Sequence, residues 1–487
     1  MTRLSRRSFV TSGFTAAAAL AWRARALYAF EAAERLGVRV RDFDELRAQI
    51  KGSLITPVDD SYERARRVWA FNPRTDLRPS VIVRCAVEQD VVSSIAFARA
   101  HALEIAVRGG GHDLLGASAV ESGLVIDLST MKQIAIDASG AHANVQPGAL
   151  SSELKSAALP ANLTPVLGCN PSVGVTGLTL GGGIGWFLGT HGAACDNLIS
   201  ARVVTASGEI IAASDRSHAD LFWAIRGGGG NFGVASELEM RLHPLERVIG
   251  GVVAFEQSDI RPFLRFYRDY MNAAPDPLAV ELTIYPGRPA TIWAMACWSG
   301  SEEQGMTALE PLRRFSVPVA DTIEALPWSR FLYRMPPRPP GGGPNTYWRG
   351  TTLDALTDPA IDRIAGLLEV APPGAQLGMG HFMHGEICRA APASSPLQRR
   401  MGSCTQFISA SWSDPRQADR SMQWVDESWD SVRREPSHGT YVNYLSDGSE
   451  GAVRATYGAN YDRLSRVKRL YDPANVFRRN RNIRPAR

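Results

Sequence analysis

Three glycines and a histidine, Gly109, Gly110, Gly111 and His112, end an apolar run that closes on Arg108. Stripping three side chains in succession is entropically costly. It is useful where backbone N–H groups must approach a partner closely, and phosphate oxygens are the commonest such partner. The loop continues as "RGGGHDLLGAS", which brings in Gly116 and Ser118. His112 at its rim has four readings: a base, a metal ligand, a covalent attachment point, or simple packing. A second segment, "PSVGVTGLTLGGGIGW", sets Gly174, Gly177, Gly181, Gly182, Gly183 and Gly185 among small apolar residues. Such a stretch can lie flat against a ligand and offer N–H groups to phosphates or ring carbonyls.

A third patch, "RGGGGNFG", holds Gly228, Gly230 and Gly233 at the G-x-G-x-x-G spacing of dinucleotide sites. A helical pattern precedes it and a strand pattern follows. That reverses the strand–turn–helix order this fingerprint needs, so the match is rejected. No glycine run leads into Lys-Ser or Lys-Thr, so there is no P-loop. The six cysteines, Cys85, Cys169, Cys195, Cys297, Cys388 and Cys404, never fall as C-x-x-C. They read as buried thiols rather than a zinc ribbon or a disulfide framework.

Elements must hold these loops in place. "SVIVRCAV" and "EIAVR" read as strands, with "DVVSSIAFARAHA" as a helix between them. "GLVIDLS" and "QIAIDASGAHANVQPG" read as antiparallel strands around a Ser-Gly turn. "SSELKSAAL" reads as a helix with a serine cap. "SARVVTASGEIIAAS" is a hairpin about Ser207-Gly208, "ADLFWAIR" a helix and "ASELEMRLHP" a strand. Helices and strands mix irregularly, which predicts an α+β fold rather than repeating βαβ units. From Leu245 the glycine clusters thin and Trp and Tyr appear. "RMPPRPPGGGPNTYW" breaks regular structure there and reads as a long surface loop, either a lid or a plain excursion.

The bulk composition fits an enzyme-sized chain. There are 487 residues, 45% hydrophobic and 21% charged, and a prior of ~150 residues per domain predicts about three units. The net charge of +4 is small for this length and gives no support to a nucleic-acid partner. At the N-terminus, "SRRSFV" precedes a short apolar run and a small-x-small site ending at Ala26. Residues 1–26 read as a cleavable export signal. The Arg6-Arg7 pair resembles the twin-arginine type, which takes folded proteins to the periplasm or beyond through its own export machinery. No stretch is long and apolar enough for a membrane span.

The ordered set "VRGGGHDLLGAS", "GVTGLTLGGGIGWFLGTHG", "DNLISARVVTASGE", "DLFWAIRGGGGNFGV", "YVNYLSD" and "YGANYDRLSRVKRLYDPANVF" resembles the vanillyl-alcohol-oxidase-type (PCMH-type) FAD flavoproteins. Within them it is most similar to the berberine-bridge-like oxidases. The resemblance covers roughly half the chain. It implies an FAD-binding domain over 75–246 built of two subdomains, and a substrate domain over 247–436 with an antiparallel sheet backed by helices. A segment over 437–487 would complete the flavin site.

It further implies that His112 bonds covalently to the flavin. Arg108, Gly109, Gly110, Gly111, Gly116, Ser118, Ser172, Val173, Gly174, Gly177, Gly181, Gly182, Gly183, Gly185, Asp196, Val234, Tyr441 and Asn443 would hold the FAD. The second, cysteinyl link of some members belongs where Asn170 stands, and Cys169 falls one residue early, so single attachment at His112 is expected, with a Cys169 link the alternative if the loop is rethreaded by one residue. Val173 stands at the position that admits O2 in oxidases. Tyr444 ends the "Y-x-N-Y" strand and matches the base that removes a substrate proton. A phenol needs its pKa brought down from ~10 for that task, and the carboxylate that assists it in other members is replaced by Phe382.

In "HFMHGE", a strand would point His381 and His384 to opposite faces. No metal is therefore expected, and His384 and Glu386 read as substrate-pocket candidates. The implied activity is an oxidase moving a hydride from a C–OH, C–N or activated C–H carbon of a small molecule to flavin N5, with reoxidation by O2. A dehydrogenase serving a quinone or protein acceptor, and a non-catalytic flavin-bearing binding protein, remain open.

Overall fold

The computed structural model describes residues 40–332, 343–398, 401–435 and 437–487. The expected export signal and most of the Pro/Gly loop lie outside these residues. Three sheets carry the described chain, and two of them position the glycine loops.

The first sheet has four strands in the order Ser53–Ile55, Val81–Arg84, Leu124–Asp127, Ile105–Arg108. Its last three strands run parallel. Leu124, Val125 and Ile126 are fully buried, as suits a parallel strand covered on both faces. This corrects the antiparallel expectation for "GLVIDLS". Alternation alone does not reveal a strand's partner. Helix Glu88–Ala100 packs on this sheet. The Asp90 carboxylate at its start accepts from Lys51 N at 2.8 Å and Ala86 N at 2.8 Å, tying in the edge strand Ser53–Ile55. The folded unit therefore begins well before residue 75.

The second sheet has six strands, with Val234–Pro244 paired to three of the others. The hairpin around Ser207-Gly208 forms as expected, with Gly208 at φ +88. Helix Ser151–Ala158 is not capped by its serine. Leu150 stands at the N-cap, and its N–H donates to Glu153 Oε2 at 2.8 Å. Within 440–484, Val442, Leu445, Val453, Tyr457, Leu464 and Ile483 return to the core of this sheet.

The third sheet, eight antiparallel strands, spans Arg247 to Trp412. Its strands alternate. Val280, Leu282 and Ile284 pack under helices Arg261–Asn272, Asp358–Glu369 and Ala418–Val432. The residues between them, Ala279, Glu281 and Thr283, therefore point to the other face. Strand Asn345–Leu353 contains "NTYW", so the irregular stretch stops sooner than the sequence implied. "YVNY" is no strand: Val442–Tyr444 is a single 3-10 turn. Among the described residues no helix is long and apolar enough to cross a membrane.

Candidate functional site

The two glycine segments meet backbone to backbone. A Cβ on Gly110 would run into the main chain of Gly174, and one on Gly174 into that of Gly110. Gly111 and Gly116 sit at φ +67 and +71, where a side chain is strained. Beyond this contact the surface opens, because a Cβ on Gly177 would meet nothing within 4 Å. The hydroxyls of Ser118, Thr176 and Thr179 are buried here without a partner among the described residues. Buried hydroxyls are seldom left unpaired. A glycine-lined wall with spare donors fits a flat, polar-edged group such as FAD.

His112 stands beside the junction. Its Nε2 lies 3.0 Å from Ser172 Oγ, and its ring stacks on Trp69 at 4.0 Å. Burial lowers its pKa to about 4, so the imidazole is neutral and a ring lone pair is available. Asp113, next in the chain, pairs with Arg481 and accepts from Leu115 N and Ala117 N, each at 2.9 Å. The C-terminal segment thus pins the first loop. Nothing in local spacing marks Arg481 for this.

Several expected cofactor contacts are spent on bracing. The Arg108 guanidinium donates to the carbonyls of Ala65, Arg66 and Ser118, so it holds the loop's shape. Asp196 Oδ2 accepts from Ala193 N at 2.9 Å, and Val234 is a core residue of its strand. Tyr441 Oη accepts from Gly183 N at 2.8 Å. Asn443 Nδ2 donates to Tyr441 Oη at 2.8 Å and to Leu178 O at 3.0 Å. Asn443 also fills the space beside Gly181, and a Cβ on Gly185 would strike the Leu167 carbonyl. Tyr441 and Asn443 thus clamp Gly181, Gly182 and Gly183 from behind.

Opposite this wall is the inner face of the third sheet. Glu281 Oε1 lies 2.9 Å from His381 Nε2 and 3.2 Å from Cys169 Sγ. Trp186, on the second glycine segment, meets the His381 ring edge-on at 6.3 Å. A Cβ on Gly380 would sit 3.3 Å from the Tyr444 hydroxyl, which bonds Thr405. Trp348 stacks on Phe407 at 5.2 Å and meets Tyr444 edge-on at 5.0 Å. Lys155, buried on its helix, donates to the Gly168 carbonyl at 2.9 Å.

The electrostatics reverse one expectation. Burial pushes the Tyr444 phenol well above its usual range, and Glu281, Tyr441 and Cys169 push it further; only the Thr405 hydrogen bond opposes. Among the described residues, its largest influences include no cation. Burial also opposes ionisation of Glu281, yet His381, Cys169 and Lys155 outweigh it and hold its pKa below the usual value. Burial raises the Cys169 thiol and lowers the Lys155 ammonium. The acid beside Tyr444 is therefore Glu281, from a strand the sequence reading passed over. A lone carboxylate in the apolar alternation "LAVELTIY" was the signal available.

The remaining candidates separate. His384 is buried, its Nδ1 3.0 Å from Phe382 O, and its ring lies against Gly189. Glu386 is half exposed and paired with Arg389. Neither joins the converging donors of Cys169, Glu281 and His381. Strand Ala375–Phe382 ends before both of them. Cys169 turns its thiol to Glu281.

Comparison with known proteins places the chain in a family. Residues 79–214 match the family described as FAD binding domain, and 440–484 match berberine and berberine like. An FAD-linked oxidoreductase of Bacillus subtilis is 30% identical over 91% of this chain and 98% of its own length. (R)-6-hydroxynicotine oxidase of Paenarthrobacter nicotinovorans is 29% identical over 90% and 97%. The crystal structure of 6-hydroxy-D-nicotine oxidase from Arthrobacter nicotinovorans superposes with a TM-score of 0.82, at 28% identity, over 90% of this chain and 98% of that one. A berberine-bridge-like protein of Physcomitrella patens shares the fold at a TM-score of 0.80 and 21% identity, covering 91% and 99%. The PCMH-type FAD-binding fold and its cofactor follow, and the chain belongs to the FAD-linked oxidoreductases that join an FAD-binding domain to a berberine-bridge-like C-terminal segment.

Proposed function

We propose that this protein is an oxidase of a small molecule carrying a C–OH, C–N or activated C–H group. The observation that carries this reading is the pairing of walls. A glycine surface fit for the isoalloxazine faces a sheet bearing Tyr444, Glu281 and His381 between aromatic rings. Bound by the glycine segments around Gly110 and Gly174, FAD would supply a hydride acceptor whose electrons O2 would take as hydrogen peroxide. His112, neutral and held by Ser172 and Trp69, is the attachment point. Tyr444 removes the substrate's proton as the hydride leaves, and positive charge brought by substrate or cofactor must offset the burial that holds its phenol protonated. Val173, next to Ser172, leaves room for O2. Trp348 and Phe407 form the wall against which a planar or apolar substrate lies. That 6-hydroxynicotine oxidase is among the relatives supports an amine or alcohol on such a frame. The segment 1–26 exports the folded protein by the twin-arginine route.

A peroxide-coupled screen over sugars, alkaloids, polyketides and amines tests the reading. Peroxide formed in step with substrate loss is expected. Rapid anaerobic bleaching followed by slow recovery in air would instead favour a dehydrogenase serving a quinone or protein acceptor. Absence of bleaching with every class would favour a flavin-bearing binding protein. Attachment is tested separately: the flavin stays on acid-denatured wild type and leaves His112→Ala.

A further inference from the structure

We propose that Cys169, Glu281 and His381 form a binding site for one divalent cation of the zinc class, with a fourth position open beside Tyr444. The three side chains come from a loop and two neighbouring strands of the third sheet. Their donor atoms lie within 4.8 Å of one another. Separations are 2.9 Å for Nε2 to Oε1, 3.2 Å for Sγ to Oε1 and 3.9 Å for Sγ to Nε2. Bonds of about 2.3 Å to sulfur and about 2.0–2.1 Å to nitrogen and oxygen make the edges of a tetrahedral site about 3.3–3.6 Å. The observed set brackets that range, so an ion could seat with shifts of a few tenths of an ångström.

The donor set selects the ion. A thiol, an imidazole and a carboxylate suit zinc and its first-row neighbours. Calcium and magnesium take oxygen ligands and find only one side chain here that offers them. Charge agrees. On binding, the Cys169 thiol would give up its proton, and the thiolate and the Glu281 carboxylate would offset the ion's two charges; Lys155 helps keep Glu281 ionised but makes no ion pair with it among the described residues. Lys155 turns its Nζ to the Gly168 carbonyl instead.

Geometry also fixes the type of site. Three protein ligands leave the fourth position for water or substrate, as in catalytic rather than structural zinc sites. His381 Nδ1 is buried with no partner among the described residues. Its ring lacks the outer hydrogen bond that usually raises a ligand histidine's affinity, so binding should be reversible rather than permanent. Resting on the oxidase reading, an ion there would hold a substrate oxygen or nitrogen beside Tyr444. It would supply the positive charge that this phenol lacks. Ion binding itself does not depend on that reading.

The probe is cobalt(II) alone. It is titrated into the flavin-loaded protein after dialysis against a chelator, and followed by ligand-field absorption at wavelengths beyond the flavin bands. One intense, tetrahedral-type set of bands per chain is expected, displaced by one equivalent of zinc. Cys169→Ser should shift and weaken the ligand-field bands, as a sulfur ligand is replaced by oxygen. His381→Ala and Glu281→Gln should each weaken binding at least about 100-fold, beyond what loss of an outer partner costs. Unchanged flavin loading and thermal midpoint certify each fold, and Glu281→Gln, nearly isosteric, serves if Cys169→Ser does not fold. Failure of cobalt to produce such bands would overturn the site, leaving a hydrogen-bonded triad. Bands that survive in Glu281→Gln and His381→Ala would overturn it too. Neither result bears on whether substrate reduces the flavin.

Discussion

The two walls of the site are made in opposite ways. The cofactor wall uses main chain. Gly110 and Gly174 touch through their backbones, Gly177 faces open space, and Tyr441 and Asn443 hold glycines in place. The substrate wall uses side chains on the inner face of one sheet, Glu281, His381, Thr405 and Phe407, with Tyr444 arriving from the C-terminal segment. A main-chain wall suits an unchanging partner with many acceptors. A side-chain wall can be altered one residue at a time without disturbing the strand beneath it. The lesson is that cofactor and substrate recognition can diverge independently in this molecule.

The largest effect expected from this contrast comes from the cofactor wall. Gly110→Val drives a branched side chain into the Gly174 backbone, which cannot yield without moving both loops. Flavin loading should fall to near zero, read from the visible absorbance per chain. Gly177→Ala is the counterpart. A Cβ there meets no protein atom, and alanine favours the helix by about 1 kcal/mol. The apoprotein should melt no lower than wild type while binding flavin less well. Equal loading in both variants would break the distinction between a packed and an open part of that wall.

Next in size is the substrate wall. Tyr444→Phe should leave flavin loading unchanged and lower the rate of flavin reduction by about 10²- to 10⁴-fold, the range for a lost general base. A rate within about threefold of wild type would remove Tyr444 from the chemistry and leave Glu281, already ionised, to take the proton. Wild-type reduction should also rise with pH, since a phenol held above its usual range is mostly protonated at neutrality.

The smallest effect concerns stability on the cofactor side. His191 and His243 stack at 3.8 Å. Burial lowers the pKa of His243 to about 4, with His191 and Arg241 adding repulsion. Its native form is neutral, whereas the unfolded chain protonates near 6.5. Its contribution is therefore complete above pH 6.5 and is lost as pH falls toward 4. His243→Gln should flatten the acid limb of the melting profile by up to one proton per chain. An unchanged slope would show that the stack does not couple to folding.

Some of this was legible without coordinates because it is local. Triple glycine before His112, the "GVTGLTLGGGIGW" run and the Ser207-Gly208 hairpin owe their shapes to residues within a few positions. Backbone freedom at such sites depends on the residue itself. The cofactor and family followed from the order of those segments. Strand partners did not: "GLVIDLS" proved parallel because its neighbours come from elsewhere in the chain. "YVNY" became a turn because its phenols had to reach Gly183 and Thr405 from one short segment. Cys169, Glu281 and His381 are an unremarkable thiol, a lone acid in an apolar strand and one histidine of two when read along the chain. Only the closure of the third sheet over the second glycine segment brings them together. That closure is long-range packing, driven by burial of faces whose partners lie more than a hundred residues away, and no local preference encodes it.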